Sequence, residues 1–422
     1  MIRSSVGEFL SAAHNRCAHR RTWTRRQVLA AGAVLAWSLA GGCRQEAPSP
    51  QQPKPAPPTT TASPESPTPT AAPPVPEERT LRRKLAQMVL VGFRGLRLDS
   101  ANPIVADVRE RGLGGVILFS YDAALQSPLR NVESPQQVAA LTAELQAMAE
   151  TPLIVAVDQE GGLVARLDER HGFPSTLSAQ ALGERNDPAF TYAVAEQMAR
   201  TLRSVGVNHN FAPVVDLNLN PDNPIIGALG RSFSADPDVV TAQAAAFIRG
   251  HRAHGVTTTL KHFPGHGSSR DDSHLGFVDV TDAWRAVELE PYRRLIAEGL
   301  VDSIMTAHVF NARLDPDHVA TLSPAILTGL LREEMGFDGV IVSDDMQMGA
   351  IAHVYGFEEA VVQSVIAGVD VIAIGNNLTY DPDVAGRVID VLTTAVQDGR
   401  LSLERIDASI RRIDALKAKW KR

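Results

Sequence analysis

Eight short apolar runs recur along the second part of the chain, and their spacing leaves few folds open. They are "KLAQMVLVGF" (84–93), "GGVILFS" (114–120), "PLIVAVD" (152–158), "HNFAPVVDLN" (209–218), "VTTTLKHF" (256–263), "SIMTAHVF" (303–310), "DGVIVSDD" (338–345) and "VDVIAIGNN" (369–377). The first half of the first run carries helical spacing. Each run is near-continuously apolar, the pattern of a strand buried on both faces. Between most of them lie stretches with helical periodicity, such as "PQQVAALTAELQAMAE" (135–150) and "TAQAAAFIRGHRAHG" (241–255). Alternating strand and helix implies a parallel sheet with right-handed crossovers. Eight such units in about 340 residues predict an α/β fold: a single (β/α)8 TIM barrel over residues 79–422.

Charge falls at the C-terminal ends of these runs. Asp158 closes the third, Asp216 the fourth, Lys261 and His262 the fifth, His308 the sixth, and Asp344 and Asp345 the seventh. In a parallel barrel those ends share one rim, where strand-to-helix loops build the active site. An open doubly wound sheet would not gather them around one point.

The densest polar stretch is "KHFPGHGSSRDDSH" (261–274). His262 and His266 stand four apart, a zinc-helix spacing, but Pro264 and Gly265 lie between them and break the helix. No Cys is at hand as a ligand, so no metal is expected. A phosphate cradle also fails, because no full Gly-rich loop with Lys-Ser/Thr opens a helix. Proton transfer remains. Asp272 lies two residues before His274, and a carboxylate on one ring nitrogen sets the tautomer and raises the basicity of the other. In "AVDQEGGLVARL", Asp158 and Arg166 flank a Gly-pair turn and suit a polar clamp on a hydroxyl-rich ligand. Arg231, in "GALGRSFSADP", sits in the long loop after the fourth run. Both Asp344 and Asp345 end a strand, and parity does not choose between them.

The formal charge is −7, and the first 42 residues hold six Arg against one Glu. The remainder carries 35 basic and 47 acidic residues, −12, so no basic surplus points to nucleic acid. Residues 1–42 have the build of an export signal: paired arginines, then an apolar run ending in small residues. "TRRQVLA" resembles a bacterial twin-arginine signal, and "LAGGC" resembles a lipoprotein cleavage box with Cys43 as the lipidated residue. Cys17 and Cys43 are the only cysteines, so no disulfide is expected in the barrel. Residues 43–78 are rich in Pro, Ser and Thr and too poor in apolar groups to fold, and read as a tether.

"KHFPGHG", four residues and then "DSH" resemble the signature of the glycoside hydrolase family 3 β-N-acetylhexosaminidases. "VDQEGGLVARL", "GRSF" thirty residues before the Lys-His pair, and "IVSDDMQMGAI" match that family in order and spacing. The resemblance covers roughly residues 80–420 and implies removal of terminal β-linked N-acetylglucosamine with retention of configuration. It implies Asp344 as nucleophile and His274, paired with Asp272, as acid/base. Asp158, Arg166, Arg231, Lys261 and His262 would hold the sugar, and His266 and Asp345 are left to structural support. No cofactor is implied. The family's β-glucosidase branches take an acid/base Glu from a second C-terminal domain, for which this chain leaves no room. The single-domain branch is therefore expected, acting as a monomer.

Relatives of that branch are often cytosolic. The export signal instead predicts a lipoprotein held at the bacterial membrane through Cys43, acting on peptidoglycan fragments or chitooligosaccharides. Three alternatives stay open: a glucosidase or xylosidase of the same fold, an N-acetylglucosaminide phosphorylase, and a glycan-binding lipoprotein on an inactive barrel.

Overall fold

The computed structural model describes residues 76–352 and 354–421. The chain divides into two units, Met1–Thr70 and Ala71–Arg422, and every described residue lies in the second. The export signal, Cys43 and the tether up to residue 75 fall outside the described residues. The first described helix, Pro76–Gln87, begins within the Pro-rich stretch.

Among the described residues ten strands follow in chain order. They are β1 (Val89–Gly92), β2 (Gly115–Leu118), β3 (Ile154–Val157), β4 (Gln159–Gly161), β5 (Val164–Ala165), β6 (His209–Asn210), β7 (Thr257–Phe263), β8 (Ser303–Thr306), β9 (Val340–Val342) and β10 (Ile372–Ile374). Eight form one parallel sheet in the order β10-β1-β2-β3-β6-β7-β8-β9. The ring closes where Val342 pairs with Val371 and the Ser343 amide donates to the Val371 carbonyl at 3.0 Å. This is the expected (β/α)8 barrel. Strands β4 and β5 form an antiparallel hairpin on the loop after β3.

The barrel strands are buried throughout. Strands β1, β2, β3, β9 and β10 are built from Val, Ile, Leu, Ala and Gly, as both-face burial requires, whereas β6, β7 and β8 also carry buried polar residues. Several helices around them open the same way. Ser134-Pro135, Asp187-Pro188 and Asp236-Pro237 begin the helices Pro135–Met148, Pro188–Ser204 and Pro237–Arg252. In each, the side-chain oxygen of the capping residue accepts a first-turn amide, and Pro occupies a position whose own N–H would be unbonded. The cap sets the start of Pro237–Arg252 four residues earlier than periodicity alone placed it.

The strands are shorter than the apolar runs, and the shortfall falls at the ends that matter. In the fourth run only His209–Asn210 pair as strand. Pro213 has no amide to donate, but the Ala212 and Pro213 carbonyls still accept the Thr259 and Lys261 amides, and the next bridge is Val214 to Lys261. His308, Asp344 and Asp345 do not close β8 and β9 but lie just beyond them. There the backbone amides turn from neighbouring strands to side chains. The Asp344 amide donates to Thr306 Oγ1 at 3.4 Å and the Asp345 amide to Asp344 Oδ1 at 2.8 Å. Among the described residues no helix is long and apolar enough to cross a membrane.

Candidate active site

Asp158, immediately after β3, and Glu160, in β4, are two apart in extended chain and so point the same way. Lys261, in β7, meets both: its Nζ lies 2.9 Å from Asp158 Oδ1 and 2.6 Å from Glu160 Oε1. Arg231 grips Glu160 with two parallel bonds, Nε to Oε2 and Nη2 to Oε1, each 2.7 Å. This is the paired geometry in which a guanidinium binds a carboxylate most strongly. Arg166 reaches Asp158 Oδ2 at 3.2 Å. Burial pushes the Glu160 carboxyl up, but Arg231 and then Lys261 outweigh it and bring it down to about 2. Asp158 is likewise held low by Lys261 and Arg166 against the effect of burial. Burial pulls Lys261 down, yet Asp158 and Glu160 raise it above its ordinary value, so the cluster stays charged.

The network continues through His262. Arg231 Nη2 lies 3.3 Å from His262 Nε2, and His262 Nδ1 lies 2.7 Å from Asp216 Oδ2. A guanidinium can only donate, so in the neutral ring Nε2 is the acceptor and Nδ1 donates to Asp216. Asp216 also accepts the His266 amide at 2.8 Å. One continuous chain of charge thus runs from β3 to β7 across the mouth.

Asp344 lies on the other side of that mouth, after β9. Burial pushes its carboxyl up, but His308, His262 and His274 outweigh this and hold it below the usual range. It is therefore ionised at neutral pH. His308 Nε2 is 3.0 Å from the Asp345 carbonyl, and its Nδ1 is 2.7 Å from Thr321 Oγ1. The Asp345 carboxyl differs: burial raises it to about 6, and its Oδ1 accepts the amides of Gln347 and Gly375 at 3.0 and 2.9 Å.

His274 sits on the loop after β7. Its Nδ1 is 2.7 Å from Asp272 Oδ1, and its side chain is 49% exposed against 24% for Asp272. Burial lowers its pKa, but the bond to Asp272 and the nearby charges of Asp272 and Asp344 more than compensate and raise it. With Nδ1 engaged, Nε2 is the nitrogen free to exchange a proton with a ligand. Against the inner side of the loop lies Glu288, in the short 3-10 helix Ala286–Leu289, its carboxyl raised by burial to about 7. Its Oε1 accepts Ser268 Oγ at 2.7 Å.

The structure therefore brings Asp158, Arg166, Arg231, Lys261 and His262 into one connected cluster. It also sets Asp344 within electrostatic reach of His262 and His274. Sequence reasoning assigned no role to Glu160, Asp216 or His308, although all three were in view as motif or strand-end residues. Charge balance would have found the first two: Lys261, Arg231 and His262 are buried or nearly so and need anionic partners. Among the described residues no group of three or more His, Cys, Asp or Glu is arranged to hold a metal ion.

The glycosyl hydrolase family 3 N-terminal domain matches residues 80–416. The beta-hexosaminidase A of Pseudoalteromonas piscicida is 36% identical over 330 residues, covering 73% of this chain and 53% of that protein. The chain thus spans about half the length of that relative. A beta-hexosaminidase of Stenotrophomonas maltophilia (strain R551-3) is 38% identical over 296 residues, covering 68% of this chain and 83% of its own. Among solved structures, a family 3 β-N-acetylglucosaminidase from Paenibacillus sp. str. FPU-7 superposes with a TM-score of 0.74 at 39% identity. It covers 81% of this chain and 62% of that one.

Proposed function

The chain belongs to glycoside hydrolase family 3, and from that premise we propose that it is a retaining β-N-acetylhexosaminidase. It removes terminal β-linked N-acetylglucosamine from peptidoglycan fragments or chitooligosaccharides outside the cell membrane. The observation that carries this reading is the His274–Asp272 pair placed within electrostatic reach of an ionised Asp344. Retaining glycosidases need an anionic nucleophile on one side of the scissile bond and a proton donor on the other.

In the first step an Asp344 carboxylate oxygen bonds to the anomeric carbon, and the C–O bond to the leaving group breaks. The His274 imidazolium gives its Nε2 proton to the departing oxygen. In the second step Nε2 takes a proton from water, whose oxygen attacks the anomeric carbon and frees Asp344. Asp272 keeps Nδ1 protonated and favours the imidazolium. Asp158, Arg166, Arg231, Lys261 and His262 hold the sugar hydroxyls and the N-acetyl group. Their mutual ion pairs fix the side chains before substrate arrives, so little ordering is left to be done on binding.

The test is Asp344→Asn, assayed on a panel of chromogenic glycosides with circular dichroism as a folding control. Turnover of the N-acetylglucosaminide should fall by about a thousandfold or more with the fold intact. A mechanism-based fluorinated N-acetylglucosaminide should leave its mass on the peptide carrying Asp344. Full turnover by the variant, or a wild type that prefers glucosides or xylosides, would sink the assignment. Repeating the assay in phosphate buffer separates free sugar from sugar 1-phosphate.

A further inference from the structure

His266 carries no assigned role in the chemistry, and its surroundings point to one. The loop 264–276 alternates between exposure and burial. Arg270, Asp271, His274 and Leu275 are exposed, whereas Ser268, Ser269 and Ser273 are buried. A buried Ser273 between the half-buried Asp272 and the exposed His274 is a tie point, and its hydroxyl lies 3.2 Å from His266 Nε2. The other ring nitrogen, Nδ1, lies 2.7 Å from Ser269 Oγ. One imidazole therefore spans the loop from its root to the residue between the acid/base pair.

The proton placement follows from the partners. Ser269 Oγ donates to the His266 carbonyl at 3.0 Å and accepts Asn223 Nδ2 at 3.0 Å. With its single proton on that carbonyl, His266 Nδ1 donates to Ser269 Oγ. In a neutral ring Nε2 is then the acceptor, and Ser273 Oγ donates. Burial keeps the ring neutral, lowering it to about 4. The backbone supplies the other half of the seat: the amides of Gly349 and Ala350 lie 3.4 and 3.3 Å from the carbonyls of His274 and Ser273.

We propose that His266 is a positioning residue that seats the acid/base loop by bridging Ser269 and Ser273, and so sets the aim of His274. It touches no reacting atom and acts only through Ser273 and the backbone beside it. The inference goes beyond the glycosidase reading and, in its kinetic consequence, rests on it.

The test uses the full chain with His266→Gln and, because a buried histidine variant can fail to fold, Ser273→Ala, which removes one hydroxyl. The first readout is amide hydrogen exchange over residues 268–276, which needs no activity. Exchange there should quicken by about fivefold or more in Ser273→Ala, with the barrel strands unchanged. The second readout is leaving-group dependence. An N-acetylglucosaminide with a poor, alkoxide-like leaving group needs the proton and should lose about tenfold or more in kcat/KM. A dinitrophenyl glycoside needs none and should stay within about twofold. Unchanged loop exchange, or equal loss on both substrates, would overturn the proposal. A wild type that turns over neither glycoside would count against the glycosidase reading, and the exchange result would still decide the loop's seat.

Discussion

His274 and Asp344 carry opposite requirements, and their surroundings satisfy both. In the proposed mechanism Asp344 is ionised, and its pKa is lowered; His274 is protonated in the first step, and its pKa is raised. The pH profile of kcat/KM should therefore be a broad bell. Its acid limb lies below the ordinary aspartate value, and its alkaline limb above the ordinary histidine value. Asp272→Asn removes the strongest raising influence on His274, leaving Asp344 to raise it and burial and Arg231 to lower it. The alkaline limb should then move to lower pH, with kcat down by about a hundredfold. A limb that stays in place would assign the titration to another group.

Glu160 yields a second residue-level prediction. Its folded pKa lies below its unfolded value, so its contribution to stability is present above the unfolded pKa and is lost as pH falls toward about 2. Glu160→Gln leaves Arg231 and Lys261 without their shared anion. It should cost about 3 kcal/mol or more at pH 7 in denaturant unfolding, with the deficit narrowing at acid pH, and raise KM. At this scale the sequence showed most of the site, because charges at the ends of apolar runs are conspicuous. It did not show which charges pair, since that depends on which strands are neighbours.

Three helix starts carry a local signal, Ser134-Pro135, Asp187-Pro188 and Asp236-Pro237, because capping is a local interaction; periodicity alone placed the last of them late. The hairpin after β3 was legible as a turn at its glycine pair, but not as a strand pairing that carries Glu160 toward Lys261. Strand ends were less legible. Composition says where an apolar run stops, whereas a strand stops where its ladder partner does. The segment after β9 and the acid/base loop also meet as elements. A Cβ on Gly349 would lie 3.1 Å from the His274 carbonyl oxygen and from Leu275, so a larger residue there presses the loop outward by a few tenths of an ångström. Gly349→Ala should displace the loop and lower kcat by about tenfold with KM little changed, measured on an unactivated N-acetylglucosaminide. An unchanged kcat would show that the loop gives way without consequence.

At the scale of the whole molecule, the barrel gathers residues far apart in sequence onto one rim. Asp158 and Asp344 are separated by most of the domain, yet both interact electrostatically with the β7 segment. The proposed cellular placement belongs to this scale too, and it rests on sequence outside the described residues. If Cys43 bears a lipid, the wild-type protein should fractionate with membranes and Cys43→Ser should shift to the soluble fraction. Equal partitioning of the two would remove the anchor from the proposal. By itself the sequence determined the fold class, through eight both-face-buried runs whose apolar character leaves only a parallel barrel or sheet to bury them. It also determined the chemical types at the rim. Tertiary structure alone decided that Glu160 bridges Lys261 and Arg231, that Asp216 orients His262, and that His266 spans its own loop. Hydrogen bonds and ion pairs act over about 3 Å, and only closure of the barrel brings groups this distant along the chain within that reach.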